Sequence, residues 1–179
     1  MAATNSGAAG DKPSGFWQFS LDFYARPRVA AACLELQDSA GADVNVLLYL
    51  LFLATHKRQV ARDDVARLDA LVAAWRERAV LPLRTLQRAL KTGIAPFPVA
   101  ESASLRSAVK HIELDAEHIE QDLLERLAPA SGTGTAAASC TAVARANLAA
   151  YQDFLGGIPA AALDILLHAY AGMMENSSA

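Results

Sequence analysis

Nine consecutive residues, Val46 to Ala54, are apolar, and the helical segment that holds them, about Val44 to His56, has no polar face. A helix that is apolar all round is stable only when other elements cover every side of it. The run is too short for a bilayer span, which takes roughly 20 residues. It therefore predicts a buried central helix, and the rest of the chain must supply its cover. Asp43 is placed to cap this helix. Asn45 is its polar exception. A buried amide costs on the order of a few kcal/mol unless it is hydrogen-bonded, so Asn45 needs defined partners or a place near water at the helix end.

The cover is expected to be helical as well. The 179 residues include 39 Ala and 24 Leu against 22 Val, Ile and Thr together, a balance that favours helix over strand. Apolar spacing predicts helices over about 16–25, 27–39, 63–80, 82–91, 100–127, 141–155 and 160–174. Pro27 suits a first helical turn, Gly41 a left-handed helix end, and Pro82 should kink or restart the helix it follows. The long helix should bury Leu105, Val109, Ile112, Ile119 and Leu123. The expectation is a compact all-α domain over 16–175, a bundle of about six or seven helices around helix 44–56. Residues 1–15 lack the basic start and apolar core of a signal peptide and read as a disordered tail. Residues 129–139 read as a flexible low-complexity loop. No internal repeat and no sustained heptad pattern stands out.

Net charge is −3, which gives no support for a nucleic-acid binder. The charge is uneven, with residues 57–91 basic and 101–128 acidic. Two packed helical segments of opposite sign are the simplest reading, and an anion-binding surface is the other. Cys33 and Cys140 lie in no metal or redox spacing. They fit a reduced, cytoplasmic chain, with Cys33 in the core.

Two polar groups could carry a function. Gln37, Asp38, Asp43 and Asn45 meet at a helix–turn–helix joint, where they either face a ligand or serve as caps and exposed ends. Arg84, Arg88 and Lys91 share one helix face opposite Leu83, Leu86 and Leu90, as an anion site, a solvated stripe, or partners of the acidic face Glu113, Glu117 and Glu120. An antiparallel hairpin across 92–99 places Arg84 near Ser107 and Arg76 near Asp115. On that register Arg76 and Arg78 meet the acidic face, whereas Arg84, Arg88 and Lys91 meet few carboxylates. Asp115 and His118 have ligand-like spacing, but no second helix carries the matching Glu-x-x-His pair, so no metal is assigned and the acidic face is read as solvated. Asp63 and Asp64 read as helix-start charge. No phosphate loop, catalytic triad order or dinucleotide fingerprint occurs, so neither a catalytic residue nor a cofactor is assigned. Phe16, Trp17, Phe19, Phe23 and Tyr24 read as core or as a hydrophobic clasp, with a lipid or partner groove as the alternative.

The stretch Trp17-x-Phe19-Ser20 … Tyr24-Ala25-Arg26-Pro27 … Cys33-Leu34-x-Leu36-Gln37-Asp38 … Gly41-x-Asp43-Val44-Asn45-x-Leu47-Leu48 resembles the N-terminal signature of a small proteobacterial family of conserved proteins of unknown function. The segment Trp75 … Pro82-Leu83-Arg84 … Arg88 … Lys91 resembles its second block. The chain departs from the family at Arg28, where members favour glycine, and at Phe52, near a usual Trp. The resemblance implies an all-helical, cytoplasmic bacterial protein and supplies no activity. Both polar groups fall inside the resembling blocks.

These features together point to a non-enzymatic binding or adaptor protein whose basic face takes a protein partner or a small anionic ligand. Gln37, Asp38, Asp43, Asn45, Arg84, Arg88 and Lys91 are its candidate ligand-binding residues, and a homo-oligomer stays open. The alternative is an enzyme acting on a phosphorylated or lipid-like molecule between the 37–45 joint and the 84–91 helix. That reading requires the two polar groups to converge around a perturbed carboxylate.

Overall fold

The computed structural model describes residues 15–127 and 139–176. Apart from Gly15 and Ser139, the expected tail and low-complexity loop lie outside the described residues. The chain is an all-α bundle: α1 (Gly15–Tyr24), α2 (Val29–Ala40), α3 (Val44–Thr55), α4 (Arg62–Trp75), a π-helical turn (Arg76–Val80), α5 (Leu81–Thr92), α6 (Val99–Leu127), α7 (Cys140–Leu155) and α8 (Ala160–Asn176). No helix among the described residues is long and apolar enough to cross a membrane.

Helix α3 is the axis of the fold. Val46, Leu47, Leu48, Leu50, Leu51 and Leu53 are all buried on it, each worth roughly 1.5–3 kcal/mol of transfer free energy. Helices α1, α2, α6 and α7 cover it. Asp43 starts it: Oδ1 accepts from the backbone N–H groups of Asn45 (2.8 Å) and Val46 (3.2 Å). Tyr151 of α7 closes on the same residue, its hydroxyl accepting from Asp43 N (2.7 Å) and donating to Asp43 O (3.0 Å). Beyond the other end of α3, the fully buried Asn147 of α7 accepts from Val60 N and donates to the carbonyls of Leu50 and Arg58. Two polar residues of α7 thus bind buried backbone groups, Tyr151 at the start of α3 and Asn147 in the connection that follows it, and Asn147 ties that connection to Leu50 within the helix.

Three sequence expectations need correction. Helix α2 begins at Val29, and Pro27 sits in the preceding turn. Arg28 takes φ 68°, the left-handed region that glycine occupies without strain. Pro82 does not break the helical backbone: α4, the π turn and α5 follow one another without a gap, with Pro82 in the first turn of α5. The π turn before it, in which Leu81 N–H donates to Arg76 O, widens the helix by one residue and takes up the proline without a break.

The third correction is the rotation of α6. Leu105, Ile112 and Ile119 are 55%, 53% and 52% exposed and Leu123 is half-buried, whereas Val109, Ala116, Glu120, Gln121 and Leu124 are buried. The expected solvated acidic face is turned inward. Opposite partners account for this. Arg84 and Asn45 hold its polar groups. The small Ala116 lets the Trp75 indole N–H reach its carbonyl (2.9 Å). Periodicity reports how apolar each face is, but not which face has partners waiting.

Arg28→Gly should remove left-handed strain of about 1 kcal/mol, partly offset by the extra backbone freedom of glycine when unfolded. Thermal denaturation should show a rise in Tm of up to about 2–4 °C.

Candidate ligand-binding site

A cavity of about 440 Å³ opens between α1, α2, the start of α3, α5 and α6. Its apolar wall includes Leu21, Leu34, Val44, Leu48 and Leu114, with Trp17 and Tyr24 beside them. Trp17 is held by stacking on His118 of α6 (4.1 Å between centroids, 16° between planes). The aromatic cluster of α1 therefore divides. Phe16, Phe19 and Phe23 point into the core, while Trp17 and Tyr24 line the cavity.

The polar end is built by α5 and α6. Arg84 Nε donates to Glu113 Oε1 (2.9 Å) and Nη2 to Glu117 Oε1 (2.5 Å). This corrects the hairpin expectation of few carboxylates near Arg84. The backbone register is close to the expected one, since Trp75 meets Ala116. Helical side chains, however, lean towards their own N-terminus. In an antiparallel pair the Arg84 and Glu113 side chains therefore lean towards each other, and a bond forms across a register offset. Burial works against the Arg84 charge, and the two carboxylates more than offset it, so its pKa is raised. Burial pushes the Glu117 carboxyl up, and the Glu113 charge adds to this against the pull of Arg84.

Two polar atoms of this wall have no partner. Ser20 Oγ and Gln121 Oε1 belong to residues only 4% and 3% exposed, and neither oxygen makes a hydrogen bond. Gln121 Nε2 donates to Asn45 Oδ1 (2.9 Å). Asn45 thus has the defined partner its burial requires, while the other end of Gln121 remains an open acceptor.

A smaller cavity of about 180 Å³ adjoins the first, sharing Gln37, Asn45 and Arg84 and adding Gly41, Asp43, Arg76 and Glu120. Arg76 Nη1 lies 2.7 Å from both Asp43 Oδ2 and Asp69 Oδ1. The pairing expected between Arg76 and Asp115 is replaced by these two. Glu120 is 1% exposed, and neither of its oxygens has a partner in hydrogen-bonding geometry, although Asp43 and Asn45 lie alongside. Burial first, then the Asp43 carboxylate, pushes the Glu120 carboxyl up to about 9, against the opposing pull of Asn45 and Arg76. A carboxyl raised this far keeps its proton at neutral pH, so Glu120 is a buried acid beside the Asp43 side chain.

Of the residues singled out in the sequence, Gln37, Asn45 and Arg84 line both cavities and Asp43 the smaller. Asp38 and Arg88 pair with each other at 2.7 Å on the surface, and with Lys91 they line neither cavity. The basic stripe is therefore broken: Arg84 turns inward and is neutralised, and Leu86 of the supposed core face is exposed. Trp17 and Tyr24, members of the aromatic cluster that the sequence offers as a groove, line the larger of these cavities together with Ser20 and Gln121, which the sequence does not single out. The spacing of Glu113, Glu117 and Glu120 marks the inward face, but the counter-ion of Glu113 and Glu117 lies on another helix, where the spacing alone does not show it.

The model of the family described as "Protein of unknown function (DUF2390)" matches residues 15–124. No curated protein and no solved structure matches the chain significantly. The matched span contains every lining residue of both cavities.

A raised carboxyl pKa costs native stability as pH rises. The Glu120 penalty is absent below the unfolded carboxyl pKa of about 4.3, grows above it, and levels off past the folded value. Melting temperatures of wild type and Glu120→Gln between pH 5 and 9 should diverge steadily, with the glutamine variant the more stable at pH 8.

Proposed function

The chain belongs to the DUF2390 family, whose function is not known, so its role has to be read from the site, and we propose that it is a non-enzymatic binding protein for a small amphipathic molecule held in the larger cavity. The observation that carries this reading is the pair of buried, unpartnered oxygens of Ser20 and Gln121, two residues of a wall that also carries an apolar side. A buried polar group without a partner costs about 1–3 kcal/mol, and a bound molecule relieves that cost. Ligand sites are commonly apolar pockets with a few convergent polar groups.

The polar end offers the acceptors Gln121 Oε1, Glu113 and Glu117, with the cation Lys110 also on the lining. Arg84 already holds two carboxylates, so an anionic head would have to compete for it. The proposed ligand therefore carries a hydrogen-bond-donating head of the amine type, with an apolar body against Leu34, Leu48 and Trp17. The binding role expected from the sequence is retained, and the sign of the head group changes.

A second reading rests on Glu120. A protonated carboxyl beside Asp43, in a cavity adjoining the first, has the form of a proton donor in an enzyme. A ligand recovered altered from the wild type and unaltered from Glu120→Gln would favour it.

Native against denaturing mass spectrometry of freshly purified protein should show an extra mass lost on denaturation. Calorimetric titration should then show saturable binding of octylamine, weakened about tenfold in Gln121→Leu and abolished in Leu34→Trp, which fills the cavity from its half-exposed wall. Equal or tighter binding of octanoate would sink the amine head. Binding unchanged in both variants would place the ligand elsewhere.

A further inference from the structure

The outer face of α6 carries a second signal, independent of the cavities. Leu105, Ile112 and Ile119 recur at intervals of seven residues, and all three are more than half exposed. Seven residues drift only about 20° around a straight helix, so the three side chains form one continuous stripe. Trp75, itself part-exposed, borders it through its bond to Ala116 O. Contiguous exposed apolar surface of this kind marks an interaction face.

The stripe is palindromic about its middle residue. Leu105 and Ile119 lie equally far on either side of Ile112. Beyond them the exposed Glu101 ends the stripe on one side and the exposed Arg126 on the other. A two-fold axis brings a surface patch onto itself, so the patch must be self-complementary. Antiparallel pairing of two such helices about Ile112 sets Leu105 of one on Ile119 of the other and Ile112 on its own copy. At both ends it brings Glu101 within about one turn of Arg126 of the other copy, acid to base. Asp115 comes next to His111 of the other copy. A parallel pairing instead sets Glu101 on Glu101 and Arg126 on Arg126, where like charges repel.

We propose that two copies of this chain pair antiparallel along the outer face of α6, about a two-fold axis at Ile112. The partner is a second copy of the chain because apolar positions and terminal charges both match under that one operation.

The position on the axis gives a sharp test. Ile112→Cys should form a disulfide-linked dimer under mild oxidation, because residue 112 meets itself. Wild type, which carries Cys33 and Cys140, serves as the control. Analytical ultracentrifugation of the full chain should show a monomer–dimer equilibrium, and Ile112→Asp should raise the dissociation constant at least tenfold. Glu101→Arg and Arg126→Glu should each weaken the dimer, and the double variant should restore it. Both charges lie on the solvent side, so these variants fold. A wild-type monomer at 200 µM overturns the proposal. So does a dimer untouched by Ile112→Asp, or one that the double charge swap fails to rescue.

Discussion

The structure turns on Asp43. One carboxylate oxygen closes the first turn of α3, the other binds Arg76 in the π turn, and its backbone N–H and C=O both meet the Tyr151 hydroxyl of α7. Its charge also acts on Glu120 of α6. Three other elements, the π turn, α6 and α7, thus converge on the residue that starts the central helix. An apolar helix has no side chains of its own with which to set its register, and hydrophobic burial is non-directional. Directional bonds at the ends supply what the core cannot. Two of these fixtures, Tyr151 and Asn147, lie beyond the span matched to the family, so α7, with α8, completes a core whose other parts lie within that span.

The inward polar face of α6 has a cost that hydrophobic residues of similar size would avoid. Desolvating ions is expensive, and replacing a buried ion pair with well-packed apolar groups is often neutral or stabilising. Here Arg84, Glu113, Glu117, Gln121 and Glu120 lie in one layer between α5, α3 and α6, and it is in this layer that both cavities sit. Real proteins concentrate such departures from favourable packing at functional sites. The polarity of the layer and the presence of the cavities are thus two aspects of one arrangement.

What could be read beforehand divides along physical lines. The burial of α3, the Asp43 cap, the left-handed Gly41 and the need of Asn45 for a partner follow from local rules, and all are present. The rotation of α6 does not follow from them, because the helix is amphipathic in two directions: an apolar stripe through Ile112 and a paired polar stripe through Glu117. Helix periodicity picks the apolar one. The fold picks the polar one, because Arg84 and Asn45 face it. Likewise, the reach of Arg84 to Glu113 depends on the direction in which side chains lean, which Cα register alone omits. Local signals thus located two of the polar groups, and long-range partners decided which of their members face the cavities.

The π turn also constrains the length of the chain between α4 and α5. A π-helical turn amounts to one extra residue within a helix, and here it separates the phase of α4 from that of α5. Val65, Leu68 and Val72 point to the core on one phase, Arg84 and Leu90 on the other. Substitutions can change either face without disturbing that offset, but a single deletion between Trp75 and Pro82 would turn every side chain of α5 by about 100° relative to α4. The segment is therefore length-constrained although many of its residues are exposed. Chain length across it, more than residue identity, tells which relatives can aim an arginine from α5 at the carboxylates of α6.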